Sequence, residues 1–551
     1  MAALPPALPT CILRGHASHV HCLHFARHNA HLLSGDAHGY VVCWRLATQR
    51  AVYVWKAHAG PVLAIAQWGY DRIITHGRDN CLRVWQLTPD ARSTHALALP
   101  ADADKLDAAL PWLLHALPVN TLNFCAFAMC PQPRQTRSDP DPAPILIAVP
   151  GRDDKQIEVW QLPHELLQIV VPRVEAVETG MVMALKLARH PRSQKLLLFA
   201  GYEAGVTAAF TLPANHTRPS VDAAELVYLS QPHTQPILSL DASPDGDFYF
   251  TSSADARVAM HRLPDLTSDI SDLHPYSPSC QGNSAEQATP SDKDPWRPTD
   301  NTPTKSPGGR PSEAIKVDSQ TSDSSEPCLS FAKVPAKKPP HTPKPGGLAS
   351  LLSSSYTSLP RTKPAQSTRP LVTVQPPYKT IDTKHAGQQS LRVRSDGRLI
   401  VTAGWDARIR IYSSKTLKEV AVLKWHKEGV YAVAFGQILT AEDLAKQEEE
   451  ACFMAALNEA QKQSTRDSEA HDSSVQPLVH KLDTLLKVGG HDPTQAIREA
   501  KSDASFQQLL GQYKPDGRLQ GRIKEREDET KMKHWVAAGA KDGKVSLWEV
   551  F

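Results

Sequence analysis

Apolar and polar residues alternate in short runs along most of the chain, and the last run shows the pattern plainly. In KDGKVSLWEVF (541–551) an Asp-Gly turn leads into KVSLW, whose apolar residues fall on every second position. That is the period of a strand with one buried face. The same layout, as AGAKDGKVSLW (538–548), recurs in SGDAHGYVVCW (34–44), THGRDNCLRVW (75–85), PGRDDKQIEVW (150–160), AGYEAGVTAAF (200–210), TSSADARVAMH (251–261) and AGWDARIRIY (403–412). Each opens on small or hydroxyl residues, turns on polar ones and closes on a large side chain. Asp79 and Trp85, Asp154 and Trp160, Asp255 and His261, Asp406 and Tyr412, and Asp542 and Trp548 are each six apart. His38 takes the Asp place before Trp44, and Ala204 takes it before Phe210.

A second signal precedes most of these runs. His16, His58, His233 and His385 lie 27 or 28 residues before the closing large residue and open the phrases GHASHVHCLHF, AHAGPVLAIAQ, PHTQPILSLDA and KHAGQQSLRV. His426 opens WHKEGVYAVAFG in the same way, and His115 and Glu178 are weaker counterparts for the third and fourth units. The joint spacing resembles the WD-repeat family, with its GH…WD period of ~40–45 residues and four strands per blade. The resemblance implies an all-β fold, a single seven-bladed WD-repeat β-propeller. In that family the strand before each GH phrase finishes the preceding blade, so AVYVW (51–55) completes the first blade and EVAVLKW (419–425) the sixth. TCILRG (10–15) then follows no blade, while KVSLW lacks an outer neighbour. The N-terminal strand is therefore expected to close the ring, setting Ile12 and Leu13 against Val545, Leu547 and Trp548, so that neither edge is left exposed.

The same resemblance places His58, Thr75, Asp79 and Trp85 in the family's structural tetrad in blade two, and His385, Thr402, Asp406 and Tyr412 in blade six. His233, Thr251 and Asp255 repeat it in blade five. A hydroxyl, a His and an Asp could also form a catalytic triad. A catalytic site is singular, however, whereas this set recurs from blade to blade. Its reading is a hydrogen-bonded chain that satisfies buried polar groups.

Composition divides the chain further. Residues 1–263 carry blades one to five, with 10–15 serving blade seven; 372–436 finish blade five, form blade six and start blade seven; and 534–551 end blade seven. Between them, 264–371 turns to Ser, Pro, Thr, Asp and Lys, centred on PAKKPPHTPKPGG (335–347), a composition expected to remain disordered. Ser277, Thr289, Thr302, Ser306 and Thr342 each precede Pro there, which suits proline-directed phosphorylation, and Lys333, Lys337 and Lys338 form a weak nuclear-import signal. The second insertion, 437–533, is charged and helical in pattern: TAEDLAKQEEEACFMAALNEAQKQ (440–463) starts on a Thr cap and continues in good helix formers. Phe453, Leu457, Leu482, Leu485 and Leu486 mark apolar faces on it and are candidates for docking a partner, while Leu444 falls off the stripe.

The remaining chemistry is thin. A net charge of +3 on 551 residues gives no global field toward nucleic acid or an anionic membrane. The N-terminal MAALPPALPT lacks a basic residue and an apolar core, and no run approaches the ~20 apolar residues of a membrane span, so a soluble protein without a secretory signal is expected. Nine cysteines show no paired framework and read as small buried thiols of a reducing compartment; Cys125 and Cys130 stand without a second pair. His16, His19, His21, His24, His28 and His31 cluster in sequence without acidic or Cys partners at metal-ligand spacing. Neither a nucleotide motif nor a unique carboxylate pair is visible. No metal, cofactor, small-molecule substrate or catalytic residue is expected.

Beyond the repeats, PTCILRGHASHVHCLHF, LLSGDAHGYVVCWRLATQRAVYVWKAHAGPVLAI and RIITHGRDNCLRVWQL, with the closing WEVF and the helical insertion in the last blade, are similar to the fungal ASTRA-associated protein 1 family. That resemblance implies a non-catalytic, nuclear, chromatin-linked subunit of the ASTRA assembly. Its implied partners are the co-chaperones that mature phosphatidylinositol-kinase-related kinases, the large pseudokinase of that class and AAA+ helicases. A G-protein β-like subunit would instead bring an N-terminal coiled coil, and a ubiquitin-ligase substrate receptor a Trp-Asp-Arg strand ending; here the endings are WRL, WQL and WEV.

Overall fold

The structure, a computed structural model, describes residues 7–87, 99, 110–120, 125–132, 142–213, 220–221, 224–266, 372–446 and 518–550. Its strands form seven sheets of a propeller. β1 (Cys11–Arg14) precedes blade one, which is β2 (Val20–Ala26), β3 (His31–Asp36), β4 (Tyr40–Arg45) and β5 (Arg50–Lys56). Blade two is β6 (Val62–Trp68), β7 (Arg72–Gly77), β8 (Cys81–Gln86) and β9 (Trp112–Pro118). Blade three is β10 (Ala128–Pro131), β11 (Ile145–Pro150), β12 (Ile157–Leu162) and β13 (Leu166–Val171). Blade four is β14 (Val182–Arg189), β15 (Leu196–Tyr202), β16 (Thr207–Leu212) and, after the short β17 (Ser220–Val221), β18 (Glu225–Ser230). Blade five is β19 (Ile237–Ala242), β20 (Phe248–Ser253), β21 (Arg257–Arg262) and β22 (Lys379–Asp382). Blade six is β23 (Gln388–Val393), β24 (Leu399–Gly404), β25 (Arg408–Ser413) and β26 (Glu419–Lys424). Blade seven is β27 (Val430–Phe435), β28 (Trp535–Ala540) and β29 (Lys544–Glu549).

The seven-bladed ring that the repeat spacing predicts is the observed fold, and it closes through β1. Cys11 pairs with Leu547, Ile12 with Ser546, Leu13 with Val545 and Arg14 with Lys544. Thr10 N adds a bond to Leu547 O at 2.7 Å. Leu13, Val545, Leu547 and Trp548 are all buried, and Leu13, Val545 and Leu547 share one apolar cluster with Val20, Trp44 and Trp535 of the adjoining strands. The apolar alternation thus becomes a series of cores between neighbouring blades, each strand giving one face to each side.

Two edge additions have no signal in the alternation. β17 lies parallel along the outer strand of blade three, Ser220 beside Ile169 and Val221 beside Val170. Gln375 makes a parallel bridge to Ser230 at the edge of blade four.

Because each ladder within a blade is antiparallel, connections alternate between two faces of the ring. One face carries tight turns such as 37–39, 78–80 and 541–543 and the links between blades, which span ten residues or fewer. The other carries the connections 87–111, 132–144, 213–224, 263–378 and 436–534. Residues 267–371, the main part of the Ser/Pro-rich insertion, lie outside the described residues, as do Phe453, Leu457, Leu482, Leu485 and Leu486.

Both stems of the blade-seven insertion are described. Thr440 caps the first: its Oγ1 accepts from Asp443 N (3.2 Å) while the Asp443 carboxylate accepts from Thr440 N (2.9 Å), a reciprocal box that starts a helical turn at 441–446. Leu444, off the apolar stripe, is buried by this turn. The return stem is α1 (Arg518–Met532), joined to β28 by the bond from Trp535 Nε1 to Thr530 O (2.8 Å). Among the described residues no helix is long and apolar enough to cross a membrane.

Candidate functional site

Three features could carry function: the buried polar chains between blades, the central channel, and the root of the blade-seven insertion. In blade two His58 Nδ1 donates to Asp79 (2.9 Å), Thr75 Oγ1 donates to His58 Nε2 (2.8 Å), and Trp85 Nε1 donates to Thr75 Oγ1 (2.8 Å). Arg83 adds a 2.8 Å contact to Asp79. Every polar atom of the chain is satisfied, so a buried His and hydroxyl are tolerated. Blade five repeats it, with His233 reaching Asp255 (3.1 Å) and Thr251 (2.9 Å), and His261 in the indole place, 3.1 Å from Thr251. His261 Nδ1 then accepts from the Tyr228 hydroxyl (3.2 Å).

Blade six corrects the reading from spacing. His385 does not bond Thr402; its side chain is 41% exposed and lies 3.6 Å from Asp406. Thr402 donates instead to Gln388 Oε1 (2.9 Å), and Arg410 grips Asp406 through two nitrogens at 3.0 and 2.5 Å. Tyr412 is buried, and burial pushes its phenol up to about 12. The cause is a shift of one residue. In blade two the innermost pair is Val62 with Gly77, 15 apart, whereas in blade six it is Gln388 with Gly404, 16 apart. A His set 17 residues before the hydroxyl in both blades therefore falls one position too close to its strand in blade six. Lys384 holds the matching place.

Blade one corrects another reading. The carboxylate there is Asp36, not a residue at position 38: His16 reaches Asp36 at 2.9 Å and Ser34 at 2.7 Å, and Trp44 Nε1 donates to Ser34 at 2.8 Å. Asp36 also accepts from His38 N and Tyr40 N, both at 2.9 Å. It occupies the strand end that Gly77 holds in blade two, where a Cβ would fall 2.1 Å from the His58 ring. Blade seven moves the hydroxyl across the strand pair. Ala538 sits where Thr75 does, and its cross-strand partner Ser546 meets His426 Nε2 (2.7 Å) and Trp548 Nε1 (2.9 Å). In blade three Asn120, rather than His115, bonds Asp154 (2.9 Å), while His115 lies in β9 and pairs with Glu165 at 3.0 Å. Glu178 is exposed and pairs with Lys155 at 2.5 Å.

Burial also leaves histidines that must stay neutral. Desolvation holds His31 and His76 down to about 3 and His426 to about 4. Each folded value lies below the ordinary value near 6.5, so between pH 6.5 and 4 the unfolded chain binds more protons than the ring. Stability is full above that window and falls as the pH drops through it, by about 1.4 kcal/mol per unit for each such group. Urea melts at pH 7 and pH 5 should show the midpoint moving down with acid; midpoints that coincide would refute the neutral-imidazole assignment.

The inner strands enclose a cavity of about 650 Å³ lined by His19, His21, Lys186, Asp241, Arg392 and Tyr431 among others. Lys186 and Asp241 form a 2.7 Å ion pair, and the His19 and His21 rings stack at 6.3 Å beside Tyr431. Burial would raise the Asp241 carboxyl, but Lys186 and Arg392 hold it below the usual range. Among the described residues no three His, Cys, Asp or Glu side chains converge as metal ligands. Cys22, Cys43, Cys125 and Cys130 are buried thiols outside any disulfide.

At the root of the insertion stands Asn29, 1% exposed and at φ +62°. Its Oδ1 accepts from Gln437 N (2.8 Å), and its Nδ2 donates to Gln437 O (2.7 Å) and Lys531 O (2.9 Å). One blade-one side chain thereby ties both stems of the insertion to the ring. Sequence reasoning missed it, because an Asn in a turn signals only a turn. Asn29→Gly keeps the left-handed backbone and removes only the amide. It should weaken the stems by roughly 2–4 kcal/mol. Limited proteolysis would then cut near 437–446 or 518–533 first; an unchanged cleavage map would refute the clasp.

Comparison with known proteins agrees with this plan along the whole chain. The profile of the family described as ASA1, ASTRA-associated protein 1, matches residues 9–548. The ASTRA-associated protein 1 of Pyricularia oryzae is 36% identical over 560 residues, spanning 99% of this chain and 98% of that protein. Its counterpart in Verticillium alfalfae is 34% identical, over 98% of this chain and 93% of that protein. The Schizosaccharomyces pombe protein of that name is 24% identical over 78% of this chain. The chain is therefore a member of the ASTRA-associated protein 1 family, built as a seven-bladed propeller closed by its first strand.

Proposed function

We propose that this protein is a non-catalytic interaction scaffold of the ASTRA assembly, acting in the nucleus with the co-chaperones that mature phosphatidylinositol-kinase-related kinases. The observation that carries this reading is the asymmetry of the ring, set beside a family match over residues 9–548. One face has tight turns over the buried polar chains, and the connections longer than ten residues leave from the other. A rigid disc bearing long segments on one face suits holding several proteins in register, and its recurrent His–Asp–hydroxyl chains serve packing rather than turnover. The blade-seven insertion, rooted by Asn29, is the part assigned to partner contact.

Deletion of 440–533, with a short turn joining β27 to β28, is expected to leave a folded ring and remove a partner. Affinity capture of tagged full-length and deleted chains, followed by mass spectrometry, tests both points. The full chain should bring down kinase-maturation co-chaperones and a giant kinase-related protein, and the deletion should lose some of them. Recovery of cullin adaptors or a γ-type subunit would overturn the ASTRA reading; an unfolded deletion or an unchanged partner set would overturn the role of the insertion.

A further inference from the structure

Four of the described turns between first and second strands bend alike. Those of blades two, five and six each set one residue in the left-handed region, Gly69, Gly246 and Gly397, and that of blade four sets Gln194 there. Blade one differs. Its turn, 27–30, joins β2 to β3 with three successive left-handed residues, Arg27, His28 and Asn29, at φ +49°, +52° and +62°. None is glycine. A side chain makes this backbone costly, least so for Asn, and a run of three persists only where its surroundings hold it.

The holding contacts come from two different blades. On one side blade two grips Arg27. The Arg27 N donates to Gln67 Oε1 (2.7 Å), and its guanidinium donates to Tyr70 O (3.3 Å) and Leu87 O (3.4 Å) and lies 4.9 Å over the Tyr70 ring. On the other side Asn29 holds Gln437 and Lys531, one on each stem of the blade-seven insertion. His28, between the two, is exposed. Leu87 is where the connection 87–111 leaves blade two. Two long connections of the ring thus root at opposite ends of one strained turn.

We propose that the turn 27–29 is a strained latch, a conformational device through which the blade-two side of this face sets how firmly the blade-seven insertion is rooted. Arg27 and Asn29 stand two residues apart on one unfavourable backbone, so both grips must hold for either to keep its geometry. Release of Arg27 lets the turn fall back toward a form with a single left-handed residue, as in the other blades, and carries the Asn29 amide off Gln437 and Lys531. By reciprocity, freeing the stems loosens the hold on Tyr70 and Leu87. A contact made at Tyr70, 64% exposed, therefore reaches the insertion without touching it. The coupling is positive: what steadies Arg27 steadies the stems.

Hydrogen exchange of the full-length chain, read by mass spectrometry, tests the latch. Gln67→Leu removes the acceptor of Arg27 N, and among the described residues the Gln67 side chain bonds only to blades one and two. Exchange in peptides covering 436–446 and 524–533 should rise at least tenfold, while blades three to five exchange as in the natural chain. Adding His28→Gly gives the turn a residue at ease in the left-handed region, and the rise should then fall below threefold. In the reverse direction, Asn29→Ala should speed exchange of the Arg27 amide at least threefold more than Asn29→Gly, since both lose the clasp and only the first strains the turn further. Unchanged stems in Gln67→Leu would overturn the proposal. So would a rise shared equally by all seven blades, a rise that His28→Gly leaves in place, or equal effects of the two Asn29 variants. The outcome is independent of the ASTRA reading, since it concerns the stems and not what the insertion meets.

Discussion

A chain lacking residues 1–15 is expected to lose the stability of the whole ring, not of one blade. Removing β1 strips four ladder pairs from β29 and uncovers the cluster of Leu13, Val545 and Leu547. Burial of Leu13 contributes about 2–3 kcal/mol. The ladder bonds add about 1 kcal/mol each. The sum, roughly 5–7 kcal/mol, is comparable with the whole stability of a typical domain. β29 would become the open edge of an interrupted ring, so aggregation should accompany the loss. Thermal melts of the full and shortened chains check this, with a fall of at least about 10 °C expected for a loss of that size. A melting temperature within the scatter of the full chain would show that closure through β1 is dispensable.

The second large effect is at Asp36. Asp36→Ala should cost roughly 3–5 kcal/mol, because it leaves His16 buried without its carboxylate and frees His38 N and Tyr40 N as well. Both side chains of the His16–Asp36 pair are fully buried, so water cannot replace the lost partner. The same change at Asp79, 13% exposed beside Arg83, should cost less, roughly 1–3 kcal/mol. His385→Ala, at a half-open position outside any such chain, should fall within about 0.5 kcal/mol of the natural protein. Chemical denaturation of the three variants orders them. Equal losses at Asp36 and His385 would contradict the assignment of blades one and six.

Much of this architecture is legible from local pattern. Strand alternation, the Asp-Gly and related turns and the recurrent His and Trp positions are properties of a few adjacent residues, and together they count the blades. The partner of KVSLW is legible too, since a strand with no blade of its own and a blade with no outer strand imply one another. In blades two and five the tetrads could be written from spacing because the hairpin length and the His offset vary together: 15 residues with an offset of 17 from His58 to Thr75, and 16 with 18 from His233 to Thr251. Blade six combines the longer hairpin with the shorter offset, and no local signal tells which residue then faces the hydroxyl.

What the sequence determined by itself is therefore the repeat, the number of blades, the closing strand and the places where the pattern is interrupted, because each depends on period and turn chemistry. Tertiary structure alone decided that Asp36 serves His16, that Ser546 replaces a strand-two hydroxyl, that Asn29 binds residues 437 and 531 together, and that Ser220 and Val221 lie along the outer strand of blade three. These depend on side chains meeting across hundreds of residues or across a one-residue shift in a hairpin. Distance in space, not order along the chain, sets which polar groups can satisfy one another.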